Sequence, residues 1–243
     1  MQTTIEETKR YENLYDDTAP EAILREFLRE YKGKIVLATS FGAEDQVLTH
    51  MVLSIDPETE IFTLDTGRLP EETYSVWERT EQLYKTKIRP YFPDRTEVER
   101  LVLEQGINGF YESIENRKRC CRVRKIEPLK RALEKREVWI TGLRREQSVT
   151  RQGLSVVERD ETFGLIKLNP LLEWSTEQVW DYIKRHNIPY NSLHDRGYPS
   201  IGCAPCTRAV KDGEDIRGGR WWWESPEHKE CGLHITTGFT QNA

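Results

Sequence analysis

The stretch "KIVLATSFGAED", residues 34–45, predicts a buried strand that turns directly into a helix. Its first seven residues form a short apolar run rich in branched side chains, which is typical of a strand covered on both faces. The pattern then changes in "FGAEDQVLTHMVLSI", residues 41–55, to a turn followed by helical spacing. A strand that leads into a helix is the repeating unit of α/β proteins, so this stretch predicts an α/β fold.

The same alternation continues along the chain. Strands are expected within 60–66, 88–94 and 136–145, with helical patterns between them. "LIKLNPLLEW" (165–174) is expected to be extended, and "STEQVWDYIKRHN" (175–187) predicts a helix with a serine N-cap. The order predicts a mainly parallel sheet flanked by helices. Periodicity fades after residue 187, so we expect irregular structure from there on.

Composition limits the possible functions. The 243 residues carry a formal net charge of −5, and 37% are hydrophobic. No apolar run approaches the ~20 residues that span a bilayer, and the N-terminus lacks a signal-peptide core, so we expect a cytoplasmic protein without a membrane partner. The acidic balance argues against nucleic-acid binding. Two locally basic stretches, "ENRKRCCRVRK" (115–125) and "GLRREQSVTR" (142–151), suit a small anion better.

Three polar motifs follow predicted strands: "TSFGAED" (39–45), "LDTGRLP" (64–70) and "TGLRREQ" (141–147). Ligands of α/β proteins bind beyond the carboxyl ends of strands, so we expect the motifs to meet there. The glycine, the hydroxyls and the helix N-terminus of the first motif suit an oxyanion. An ordinary capped turn explains that motif equally well, and it lacks Walker-loop spacing.

Five cysteines are an odd number for a chain expected in a reducing compartment, so metal or redox chemistry is favoured over disulfides. Cys120 and Cys121 are adjacent, whereas Cys203 and Cys206 form a C-x-x-C. Four thiolates on one iron–sulfur cluster is the interpretation we favour. A redox-active C-x-x-C and a buried structural role remain alternatives, and adjacent ligands suit zinc poorly.

The fifth cysteine, Cys231, lies in "KECGLH" (229–234), close to His234. A thiolate near cations is a strong nucleophile, although a cysteine this near a C-terminus is more often incidental. Basic side chains elsewhere are either a solvated surface or an anion site. These are Arg124, Lys125, Arg144, Arg145, Arg151, Arg217 and Arg220.

Several motifs together resemble the assimilatory adenylyl-sulfate reductases, within the wider family of adenylyl- and phosphoadenylyl-sulfate reductases. They are "SFGAEDQV", "LDTGRLPEET", "RKRCCRVRKIEPLKRAL", "WITGLRREQS", "GCAPCTRAV", "GRWWWE" and "KECGLH". The resemblance covers residues 30–234 and implies an adenine nucleotide α-hydrolase-like fold, similar to the ATP pyrophosphatases. Ala43 replaces a glycine of their pyrophosphate loop, whose final serine is absent, which puts ATP cleavage in doubt. The implied division is a nucleotide-binding domain, 1–206, and a mobile catalytic segment, 207–243.

The resemblance also implies an activity. Cys231 attacks the sulfur of adenosine 5′-phosphosulfate, AMP leaves, and thioredoxin or a glutaredoxin-like reductant releases sulfite from the S-sulfonated cysteine. A cluster-bearing reductase of the 3′-phosphorylated substrate, or a dual-specificity enzyme, is the alternative. A non-catalytic nucleotide sensor is a more distant one. Family members are often homo-oligomers.

Site residues follow from the same resemblance. The cysteines at 120, 121, 203 and 206 are expected to hold a [4Fe–4S] cluster with an electrostatic and structural role. Sulfate and phosphate contacts are expected from Lys125, Arg217, Arg220 and His234, and Arg144 lies in the substrate-gripping loop. The nucleotide is expected along Ser40, Phe41 and Gly42. Tryptophans 221–223 are interpreted as packing for the C-terminal segment, with a lid as the alternative.

Overall fold

A six-stranded sheet organises the protein in this computed structural model, which describes residue 15 and residues 18–147 and 153–225. The strand order is β3-β2-β1-β4-β6-β5. Every neighbouring pair is parallel except β5 and β6. The strands are β1 (Ile35–Thr39), β2 (Glu60–Leu64), β3 (Arg89–Tyr91), β4 (Val138–Ile140), β5 (Val157–Asp160) and β6 (Leu165–Leu168). The prediction of a mainly parallel sheet is confirmed.

Seven α-helices lie before, between and after these strands within the described ranges. They are α1 (Pro20–Glu30), α2 (Ala43–Ile55), α3 (Glu71–Tyr84), α4 (Arg95–Gln105), α5 (Ile114–Cys121), α6 (Glu127–Leu133) and α7 (Thr176–His186). One π-helical turn, Arg122–Ile126, joins α5 to α6. The predicted cap of α7 is confirmed, because Ser175 and Gln178 form a reciprocal capping box.

Side chains of β1 alternate between two cores, as a strand covered on both faces requires. Ile35 and Leu37 belong to the larger core, which includes apolar residues of α1, α2 and α7. Val36 lies in the smaller core on the other face, with Phe62 and Leu129. The apolar run that predicted this strand is therefore explained by burial on both sides.

Two elements differ from the expectations. β5 was not predicted, since its sequence "VERD" is mostly charged; it forms an antiparallel edge strand paired with β6. Of the stretch expected to be extended, 165–174, only the first four residues form a strand, and the chain turns after Leu168.

The carboxyl ends of β2, β1 and β4 lie side by side. Thr39 pairs with Thr63 of β2, and Leu37 pairs with Ile140 of β4. The chain leaves β1 for β2 on one side and later returns to β4 on the other, so a crevice opens beyond the end of β1. All three polar motifs predicted from the sequence begin at or within three residues of these strand ends.

Residues 207–225 pack against the rest of the fold. Thr207 and Arg220 form an antiparallel bridge, and the indole of Trp221 is buried. The remainder of the expected mobile segment, 226–243, lies outside the described residues, so its mobility stays a prediction. Among the helices of the described chain, none is both long and apolar enough to cross a bilayer.

Candidate active site

A cavity of about 720 Å³ lies beyond the carboxyl ends of the central strands. Its apolar wall comes from the sheet and α6 and includes Phe62, Leu129 and Trp139. Its charged wall includes Arg144, Lys125, Arg217 and Arg220. An apolar wall with a few converging charges is typical of a small-molecule site, here one that favours a flat ring joined to an anion.

The turn between β1 and α2 forms one edge of this cavity. Asp45 accepts hydrogen bonds from the backbone N of Ser40, at 2.6 Å, and from its Oγ, at 2.7 Å. Phe41 has a left-handed backbone, φ 60°, and its buried ring stacks on Trp77. Ser40 and Gly42 line the cavity, whereas the side chain of Phe41 is turned away into the core.

Burial raises the pKa of Asp45 to about 6, more than the hydrogen bonds from Ser40 lower it. The carboxylate is enclosed by its own turn and by Gly142, where any Cβ would overlap Asp45 Oδ1. A glycine is therefore required at residue 142 for the loop after β4 to approach α2.

Asp45→Asn tests this protonation. The folded protein keeps a proton on Asp45 that the unfolded chain has already lost, so its stabilising contribution is full below pH 3.8 and is lost as pH rises through about 6. Relative to the variant, the free energy of unfolding of the wild type should fall by about 3 kcal/mol across that window. Denaturant unfolding of both proteins at several pH values measures this; parallel curves contradict it.

Arg144 is buried, and its charge is balanced within the site. Its Nε donates to Glu44 at 2.8 Å, one Nη donates to Glu146 at 2.8 Å, and the other donates to Thr176 at 3.0 Å. Arg144 thereby ties the loop after β4 to the first turns of α2 and α7. The structure places it on the cavity wall as a fixed cation.

Lys125 and Arg220 lie between the main cavity and a second, smaller one, because both line each of them. Lys125 comes from the π-helical turn, and Arg220 comes from the chain after the C-x-x-C. Nη1 of Arg220 donates to the carbonyl of Ile201 at 3.1 Å, and its guanidinium lies 4.7 Å from the ring centre of Trp221. Arg217 lines the main cavity and lies 5.9 Å from the same ring.

Gly202→Ala should displace the guanidinium of Arg220 while sparing the fold. A Cβ at residue 202 would overlap that guanidinium, the end of a flexible side chain that can move away. Arg220 is predicted from the sequence to contact the phosphate or sulfate of the nucleotide, so its displacement should weaken AMP binding about 10- to 100-fold. Titration calorimetry checks this, and Gly213→Ala, at an open position with a left-handed backbone, reports any general cost of the added methyl. Unchanged affinity in Gly202→Ala contradicts the prediction.

The smaller cavity, of about 20 Å³, is lined by Cys120, Cys121, Cys203 and Cys206. The adjacent pair comes from the end of α5, and the C-x-x-C comes from a 3₁₀ turn, Ala204–Cys206. The Oγ1 of Thr66, in the loop after β2, lies 3.2 Å from the Sγ of Cys203. The structure thus brings together two cysteine pairs that are far apart in sequence.

Two of these thiols, Cys120 and Cys206, are held in the neutral form by their surroundings. Burial raises the pKa of Cys120, and nearby Arg124 partly offsets this rise. Burial together with Cys203 raises the pKa of Cys206 to about 12. Thiols that share one small cavity are a donor set that suits an iron–sulfur cluster, whose binding displaces their protons. Within the described ranges, no group of three or more His, Cys, Asp or Glu side chains has the geometry to hold a single metal ion.

Cys231 and His234 lie outside the described residues, so their predicted roles stay predictions. Sequence reasoning missed three features of the site: Asp45, the contact of Gly202 with Arg220, and the ion pair of Arg117 with Glu224. Asp45 alone had a sequence signal, as the acidic residue of the first polar motif. The other two depend on chain segments that meet only in the fold.

Comparison with solved structures supports the fold and its class. A phosphoadenylyl-sulfate reductase from Candida auris, solved as a phosphate complex, matches with a TM-score of 0.73 and 27% identity over 86% of this chain and 99% of that one. An FMN adenylyltransferase from Candida glabrata matches with a TM-score of 0.56 and 16% identity, over 96% of this chain and 77% of that one, which is a likeness of fold alone. The fold is of the adenine nucleotide α-hydrolase-like class, as predicted.

Sequence comparison then places the chain within that class. Residues 34–209 match the phosphoadenosine phosphosulfate reductase domain. An adenosine 5′-phosphosulfate reductase of Allochromatium vinosum is 53% identical over 93% of this chain and 90% of its own length. One from Burkholderia cepacia is also 53% identical, over 86% and 83%. The chain belongs to the adenylyl- and phosphoadenylyl-sulfate reductase family, and the predicted resemblance is confirmed.

Proposed function

We propose that this protein reduces adenosine 5′-phosphosulfate to sulfite and AMP, in the cytoplasm, as a step of sulfate assimilation. Relatives that bear this activity in their names are about half identical over most of the chain. The observation that carries the proposal is the placement of Lys125 and Arg220 between the nucleotide-sized cavity and the four thiols. A phosphosulfate bound there would contact both of these cations. It would also lie beside Arg220, which belongs to the same C-terminal segment as Cys231.

The first chemical step uses Cys231 as the nucleophile. Its thiolate attacks the sulfur of the phosphosulfate, an S–S bond forms, and the bond from sulfur to the bridging oxygen breaks. AMP leaves with the electron pair. Lys125, Arg217 and Arg220 offset the negative charge of the oxygens that the thiolate must approach. His234, three residues beyond the nucleophile, is proposed to contribute at the same place.

The second step releases sulfite. A thiolate of a dithiol protein of the thioredoxin or glutaredoxin type attacks the Sγ of Cys231, and sulfite leaves with the electron pair of the S–S bond. The second thiol of the reductant then breaks the mixed disulfide and restores Cys231. The reductant supplies both electrons, which take sulfur from sulfate to sulfite.

The four remaining cysteines, at 120, 121, 203 and 206, are proposed to hold a [4Fe–4S] cluster. The small cavity that all four thiols line supports this. When bound, the cluster supplies a structural tie between the two cysteine pairs and a fixed charge near Lys125. Arg124, beside Cys120, stabilises the deprotonated form of that ligand.

The 3′-phosphorylated nucleotide is the second candidate substrate, because the solved structure from Candida auris is named a reductase of that compound. Sulfite release should therefore be measured with each nucleotide and with thioredoxin supplied. We expect a much larger kcat/KM for adenosine 5′-phosphosulfate. A preference for the 3′-phosphorylated compound would replace the proposed substrate, and no sulfite from either would overturn the activity.

A further inference from the structure

Arg117 and Glu224 form a buried ion pair near the end of the described part, 207–225, of the C-terminal segment. Nε of Arg117 donates to one carboxylate oxygen of Glu224 at 2.9 Å, and Nη2 donates to the other at 2.6 Å. Both side chains are only 2% exposed. A two-bond pair of this kind fixes the orientation of the two groups as well as their distance.

The pair joins the C-terminal segment to the helix that carries the first two cysteines. Arg117 lies on α5, three residues before Cys120, and its guanidinium lies 4.9 Å from the ring centre of Trp221. The backbone N of Trp221 donates to the carbonyl of Cys206 at 3.2 Å. The segment is therefore held at two points, one beside each cysteine pair.

We propose that Arg117 and Glu224 are positioning residues for the nucleophile, an inference that rests on the proposed function. Glu224 lies seven residues before Cys231, and even a fully extended chain of that length spans only ~25 Å. Arg220, four residues before Glu224, lines the main cavity. A chain fixed at Glu224 would therefore keep the thiol within that reach of the cavity, which would raise its effective concentration toward the bound phosphosulfate. Without the pair, the chain leaves the fold in a wider range of directions.

We expect nucleotide binding not to depend on this pair. Arg220 is held from the other side, by Ser200 and by the carbonyl of Ile201. The inference therefore separates two quantities: the affinity for AMP should stay unchanged, whereas the rate of attack by Cys231 should fall. A pair that only stabilised the fold would not produce this split, and unchanged visible absorbance excludes an effect through the small cavity, which Arg117 also lines.

Two variants test the inference. Glu224→Gln keeps the shape of the side chain but leaves Arg117 buried without its counter-charge, which can strongly destabilise a fold. The double variant Arg117→Met/Glu224→Met removes both charges at similar volume, a replacement that buried pairs often tolerate. Glu158→Gln is the matched control, because Glu158 of β5 pairs at 2.9 Å with the fully buried Lys167 of the neighbouring strand β6.

The experiment is a single turnover of the cluster-loaded protein with adenosine 5′-phosphosulfate and no reductant, followed by AMP release and by the mass of Cys231. Titration with AMP and visible absorbance are measured in parallel. We expect both pair variants to bind added AMP with the affinity of the wild type. In the single turnover they should form AMP from adenosine 5′-phosphosulfate about 10- to 100-fold more slowly, whereas the control should react at the wild-type rate. Equal rates in the wild type and the double variant overturn the inference alone. A wild type that releases no AMP overturns the proposed function, and the inference with it.

Discussion

Cys231→Ser should lower the rate of sulfite formation ~10⁴-fold or more. A serine hydroxyl is almost fully protonated at neutral pH and cannot replace a thiolate as the attacking group or as the partner of a dithiol reductant. The measurement is sulfite release with thioredoxin, together with AMP release without reductant. Both should be lost, since the variant cannot form the S-sulfonated intermediate.

Two controls make the result of Cys231→Ser specific. The affinity for AMP should be unchanged, because the described residues already supply an apolar wall and a set of cations to the cavity. Visible absorbance should also be unchanged, because the four cysteines of the small cavity are untouched. AMP release at the wild-type rate would show that another group attacks the sulfur, and loss of absorbance would assign Cys231 to the cluster instead.

Lys125→Met should lower kcat about 10²- to 10³-fold, the range found when one group that stabilises transition-state charge is removed. Lys125 lines both cavities. Its ammonium is therefore placed to offset the charge of a phosphosulfate in the main cavity and the charge of the proposed cluster in the smaller one. Methionine keeps the length and apolar stem of the side chain. The steady-state rate of sulfite release, with saturating substrate, measures the effect.

Lys130→Met is the control for Lys125→Met. Lys130 lies on the following helix, α6, and is exposed, where it pairs with Glu127 at 3.1 Å. Lys130→Met changes the formal net charge by the same amount as Lys125→Met but leaves the cavities as they are. The rate of sulfite release of this control variant should therefore match that of the wild type. Equal losses in both variants would mean that overall charge, and not the position of Lys125, governs the rate.

The sequence anticipated the fold where each local pattern agreed with its surroundings. The apolar run at 34–40 is a strand because both faces of β1 are covered, and the serine before α7 is a cap because it precedes the helical spacing directly. β5 lacked such a pattern, since an edge strand needs few apolar side chains and the charges of "VERD" are tolerated there.

The candidate site was anticipated less evenly. Ser40 and Gly42 lie on the cavity, but Phe41, between them, faces the core because a left-handed turn rotates its side chain away from its neighbours. The buried pair of Arg117 with Glu224 joins residues 107 positions apart, and nothing in either local sequence marks the partner.

The amino-acid sequence by itself determined which groups are present and in which order: a strand-to-helix turn, two cysteine pairs, three polar motifs after strands, two basic stretches and a fifth cysteine near the end. Local spacing carries that information because helices and strands repeat over a few residues. Only the tertiary structure decided that four thiols share one small cavity, that Lys125 and Arg220 stand between it and the larger one, and that Gly202 leaves room for Arg220. Those placements depend on the strand order and on contacts between distant segments, which arise only when the apolar faces are buried together.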